Sequence, residues 1–138
     1  MNFRSKRGFT LVEILLVVVI IGILAGLIVP NFVGRSEDAR KQAALADIEG
    51  GLSSALDLYE MDNGVYPEKL EYLASDPGSA RNWNGPYVKK SIPKDPWGNP
   101  YVYQYPGIHN TRFYDLSSSG PDAQSGSDDD ITNWETTA

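Results

Sequence analysis

Lys6-Arg7-Gly8-Phe9-Thr10-Leu11-Val12-Glu13-Ile14 opens a run that stays almost wholly apolar as far as Pro30. As a helix, Phe9 to Val29 would reach about 31 Å at ~1.5 Å per residue, enough for a bilayer core of ~30 Å. Arg4, Lys6 and Arg7 would hold the near end on the cytoplasmic side. Three plainer readings compete. A buried core helix would need wrapping, and nothing else in the chain is apolar enough to supply it. A secretory signal fits the basic start, with Ile23-Leu24-Ala25 as a small-residue site, yet the run continues through Leu27-Ile28-Val29. In such signals the cut also follows the apolar stretch. A plain anchor accounts for the length and leaves Glu13 unexplained.

A carboxylate inside a membrane segment costs at least ~2.5 kcal/mol unless it snorkels or finds a partner. Snorkelling to the headgroups is one outcome for Glu13. The other begins with removal of residues 1–8, which frees an amine on Phe9. Glu13 can then pair with that amine on a neighbouring subunit. Each charge is costly alone in lipid, and together they can set the register of an assembly.

The junction resembles the class III leader of type IV pilins and of type II secretion pseudopilins. The resemblance implies cleavage between Gly8 and Phe9 by a prepilin peptidase, N-methylation of Phe9, and Glu13 as the assembly carboxylate. It implies residues 1–8 as leader, 9–30 as transmembrane and assembly helix, and 31–138 as a periplasmic domain.

The 138 residues leave room for one modest domain beyond this segment. There is no cysteine, so no disulfide staples it. The formal charge is −6, and loss of the leader's three bases leaves nine against 18 acids. Such an acidic domain is no nucleic-acid binder. With one histidine and no cysteine, no set of nucleophile, base and orienting group stands out, and the chain is read as no enzyme. It also lacks a phosphate-binding loop.

Beyond Asn31 the pattern is amphipathic. Leu45, Ile48, Leu52, Ala55, Leu56 and Tyr59 mark a helical stripe. Pro30 should kink or locally melt the helix leading into it. Gly22 and Gly26 offer a small-xxx-small face. Gly50-Gly51 is either a close packing contact or a soft spot, and Asp62-Asn63-Gly64 supplies a helix stop. Strands are expected within 85–90, 101–105 and 112–116. Asp95-Pro96-Trp97-Gly98-Asn99-Pro100 forms a turn with an aromatic plug, and Trp97, Tyr101 and Tyr103 are assigned to the core before any carbohydrate platform. His109 reads as a loop residue.

From Leu116 to Ile131 four aspartates stand among serines and glycines. This is either a solvated acidic run or a hard-oxygen metal loop, and it is no EF-hand, since that spacing is absent. The combination of Tyr66-Pro67, Asp95 to Tyr101, Ser119-Gly120-Pro121-Asp122 and Asp128 to Trp134 resembles the major, G-type pseudopilins of type II secretion.

That resemblance implies an α+β, type IV pilin-like fold: a long N-terminal helix on a small antiparallel sheet, with a C-terminal metal-binding loop. It implies calcium held by Asp122, Asp129 and Asp130, with carbonyls near Leu116, Ser119 and Ser127, while Asp128 has no assigned role. It implies a homo-oligomeric helical fibre, the periplasmic pseudopilus, whose growth drives folded proteins across the outer membrane. Its partners would be minor pseudopilins, the prepilin peptidase, and an inner-membrane assembly platform with its ATPase. The chain would sit in the inner membrane as a single-pass protein with its C-terminal domain in the periplasm. A type IV pilus subunit for adhesion or motility is the alternative, and the missing cysteines and the acidic loop count against it.

Overall fold

Helix α1, Leu11–Ala46, begins directly after the glycine-containing junction, and its assignment runs through Pro30 without interruption. The computed structural model describes residues 8–134, apart from the side chains of residues 27–33. Leader residues 1–7, including Arg4, Lys6 and Arg7, lie outside the described residues. By internal contacts the chain divides into two units, Met1–Asp38 and Ala39–Ala138.

In the first unit, described apolar side chains from Leu11 to Leu24 are exposed on every side, from 47% at Ile20 to 82% at Leu11. A helix apolar all round is one that lipid or other helices must cover. Among the described residues, no helical window is long and apolar enough to cross a membrane.

The second unit carries the core. A π-helical turn, Asp47–Leu52, follows α1, and α2 spans Ser53–Asn63. Five of the six residues in the stripe read from sequence are buried: Ile48, Leu52, Ala55, Leu56 and Tyr59 are each at most 4% exposed, while Leu45 is only half-buried and its neighbour Ala44 takes the core position. Gly64 ends α2 in the left-handed conformation, and its amide donates to the Glu60 carbonyl at 2.7 Å.

Strands β1 (Val102–Gln104), β2 (Asp115–Ser118) and β3 (Ile131–Thr132) form one antiparallel sheet in that order. Tyr103 pairs with Leu116, and Ser118 pairs with Ile131. The expected strand at 85–90 is absent. Pro86 has no amide to donate, and the Tyr87 amide goes instead to the Leu73 carbonyl at 2.7 Å. β3 was not foreseen, because two residues give no period to detect. Asn133 prolongs it with its side chain: its Oδ1 accepts the Leu116 amide at 2.9 Å while its own amide donates to the Leu116 carbonyl at 3.0 Å.

Aromatic rings fill the space between helix and sheet. Tyr66 meets Tyr105, Phe113 and Tyr114 edge-on at centroid separations of 5.7, 6.4 and 5.0 Å. Tyr101 is buried, and Trp97 and Tyr103 pack against the same core, as assigned from sequence.

Candidate functional site

Two places carry the residues singled out by the sequence. The first is the start of α1. The Glu13 amide donates to Thr10 Oγ1 at 3.3 Å, and the Thr10 amide donates to Glu13 Oε2 at 3.3 Å. This reciprocal pair is a capping box, written in the sequence as Thr10-Leu11-Val12-Glu13. It gives Glu13 a local role that the membrane argument had not supplied. The carboxylate also stands where the positive end of the helix dipole favours it. Phe9, one residue before the cap, is 79% exposed.

The second place is the loop from Ser119 to Asp130 that joins β2 to β3. Its root is held by Asp95, which is 4% exposed. Asp95 Oδ1 accepts the amides of Trp97 at 3.1 Å and Asn99 at 2.8 Å, closing the turn expected there. Gly120 has φ +63°, and a Cβ built on it would lie 2.5 Å from the Asp129 carbonyl oxygen, so no other residue fits.

Inside the loop, three carboxylates converge on one hydroxyl. Ser127 Oγ lies 3.2 Å from Asp122 Oδ1, 2.6 Å from Asp129 Oδ1, 3.2 Å from Asp130 Oδ1 and 3.0 Å from the Gln124 carbonyl. A hydroxyl carries one proton and can satisfy one of those four acceptors. The Ser127 hydroxyl holds the Asp129 carboxyl below its ordinary pKa. The Asp122 amide also donates to Asp129, at Oδ2 and 3.3 Å; the other two carboxylates hold backbone amides of their own, Gly126 donating to Asp130 Oδ2 at 2.6 Å and Gln124 to Asp122 Oδ1 at 2.8 Å.

The donor chemistry is that of a hard cation, which takes carboxylate, carbonyl and hydroxyl oxygens. Even so, among the described residues no group of three or more His, Asp or Glu side chains is arranged to hold a metal. The structure therefore brings Asp122, Asp129, Asp130 and Ser127 together without forming a coordination shell. Leu116 and Ser119 take no part in these hydrogen bonds; Leu116 lies in β2, where its carbonyl accepts the Asn133 amide. Asp128 is exposed beside the cluster.

A third arrangement had no sequence signal. Asp115, 6% exposed, accepts the amides of Ile108, His109 and Asn110 at 2.8, 2.9 and 2.8 Å. Burial raises its pKa, but these amides, with His109 Nδ1 at 3.0 Å, outweigh burial and hold it below the ordinary value. His109 in turn stacks on Trp134 with ring centroids 4.2 Å apart. The loop histidine is thus part of the fastening that holds the chain just beyond β3.

Comparison with known proteins places these features. The family described as type II secretion system, protein G, matches residues 31–134. The prokaryotic N-terminal methylation motif matches residues 3–29. A type II secretion system core protein G of Escherichia coli is 50% identical over 136 residues, covering 94% of this chain and 92% of that relative. One from Aeromonas hydrophila is 45% identical, covering 97% and 96%. The crystal structure of the major pseudopilin from the type 2 secretion system of enterohaemorrhagic Escherichia coli superposes with TM-score 0.65 at 35% identity, covering 73% of this chain and 87% of that one.

Proposed function

Because this chain belongs to the type II secretion system protein G family, it is a pseudopilin, a structural subunit and not an enzyme; we propose that it is the repeating unit of the periplasmic pseudopilus. The methylation motif and the family imply a membrane-anchored protein facing the periplasm. In this reading a prepilin peptidase cuts between Gly8 and Phe9 and methylates Phe9. The mature chain then waits in the inner membrane as a single-pass protein, with residues 9–30 in the bilayer and 31–138 outside.

The observation that supports assembly is the apolar surface of α1, exposed all round from Leu11 to Leu24. Lipid covers it before assembly, and the helices of neighbouring subunits cover it in the fibre. Glu13 meets the Phe9 amine of a neighbour and sets the register. Minor pseudopilins, an assembly platform and its ATPase complete the machine, and fibre growth pushes folded proteins through the outer membrane. Calcium is the proposed ligand of the acidic loop, held by Asp122, Asp129 and Asp130 and by the oxygens around Ser127. Bound there, it supplies positive charge to a cluster that has too few protons. The test is to delete the gene and restore it with a Glu13→Ala variant, reading fibres by microscopy and export by activity outside the cell. Normal fibres and normal export from that variant would remove the assembly role of Glu13.

A further inference from the structure

We infer that the Asp47–Leu52 π turn stores one residue more than a continuous α-helix needs between its two anchors, and that it serves as a register joint within the helix. Each end of the turn is fastened to the sheet side. Tyr101 donates its hydroxyl to Asp47 Oδ2 at 2.8 Å, and the Ser53 and Tyr114 hydroxyls lie 2.9 Å apart. Ile48 and Leu52 between them are 1% and 2% exposed, so both belong to the core. An extra residue in an α-helix turns everything beyond it by about 100°. A π turn instead absorbs the residue locally by widening one turn. Core and anchors on both sides then keep their partners.

Gly50 and Gly51 are where the surplus is held. Neither of the two usual reasons for glycine applies. A Cβ built on either meets no atom within 4 Å, and neither is among the glycines with positive φ. Both are exposed. What the pair contributes is weak helix propensity, second only to proline. Residues that favour the α form so weakly let one turn widen at small cost, while the anchors on both sides keep the surplus confined between them. The use of such a joint by a subunit entering a fibre rests on the assembly reading above. Its existence does not, and is tested on the isolated subunit.

The experiment uses the full chain in detergent micelles and compares deletion of Gly50 with deletion of Leu58, a half-exposed residue of α2. Without Gly50 the helix should become regular and melt within about 2 °C of the parent, while amide exchange at Ile48–Leu52 slows roughly tenfold. Without Leu58 the residues that follow turn off the core, and melting should fall by about 10 °C or more. Equal damage from both deletions would show that Gly50 is required and not surplus. A well-folded Gly50 deletion with unchanged exchange would show that the turn is no joint. Either result overturns the inference.

Discussion

Asp95 Oδ2 accepts the Ser118 hydroxyl at 2.6 Å, joining two buried groups 23 residues apart. One carboxylate thus fixes the turn before β1 and the last residue of β2, from which the acidic loop departs. Its other oxygen is committed to two backbone amides, so neither end can move alone.

Asp95→Ala should lower unfolding free energy by about 3 kcal/mol, since it strips one buried hydroxyl and two half-buried amides of their carboxylate acceptor. Urea denaturation reads this directly. A loss below about 0.5 kcal/mol would mean that water replaces the carboxylate freely.

Calcium should raise the melting temperature of the parent protein, because a ligand that binds the native state stabilises it by about 2.7 kcal/mol at a hundredfold excess over Kd. Asp129→Asn combined with Asp130→Asn should abolish that rise and leave melting in chelator nearly unchanged. Differential scanning fluorimetry with and without chelator separates the two effects. An equal calcium shift in parent and variant would place any bound ion elsewhere.

Asp115 makes a pH prediction with a definite sign. Its pKa is lower in the folded chain than its ordinary value of 3.8, so the folded state binds fewer protons there. Its contribution is therefore present above about pH 4 and is lost as pH falls through the folded pKa. Asp115→Asn should be less stable at neutral pH and show a shallower loss of stability as pH falls below about 4. Acid titration curves of parent and variant with the same slope would contradict this.

These residues show which parts of the fold sequence could reach. The stripe from Leu45 to Tyr59, the Gly64 stop and the Asp95 turn each carry a local signal, either a period or a residue suited to one backbone conformation. The run of four aspartates marked the acidic loop, and the resemblance to the G-type pseudopilins singled out Asp122, Asp129 and Asp130 within it. Asp115 could not, because its amide partners come from a loop with no period and its burial depends on tertiary packing. The π turn was missed for a related reason. Its glycines pointed to either contact or softness, while the widened turn between them leaves no mark in composition. The capping box at Thr10 and Glu13 had a signal, at a spacing of three, that the membrane argument overshadowed.

Replacing Gly8 with a bulky residue should leave the leader attached, seen as a precursor about eight residues heavier by mass spectrometry of the intact chain. A mature mass ending at Phe9 from such a variant would disprove cleavage at this junction.

Glu13→Ala should still enter the membrane, since it removes a charge from an apolar segment. It should also lose about 1 kcal/mol of helix-end stability with the capping box. Membrane fractionation checks the first expectation and helix content of the micellar chain the second.

The bond between Glu13 and Thr10 has one more consequence for fibre growth. A subunit outside the fibre does not present a vacant carboxylate: Oε2 already accepts the Thr10 amide and lies 3.4 Å from its hydroxyl. In the proposed assembly an arriving amine would find a carboxylate already aimed by its own helix end, with Oε1 and the remaining lone pairs still able to accept. The cap would then act as a guide, fixing where on the helix the charge contact is made and tying that contact to correct placement of the whole subunit.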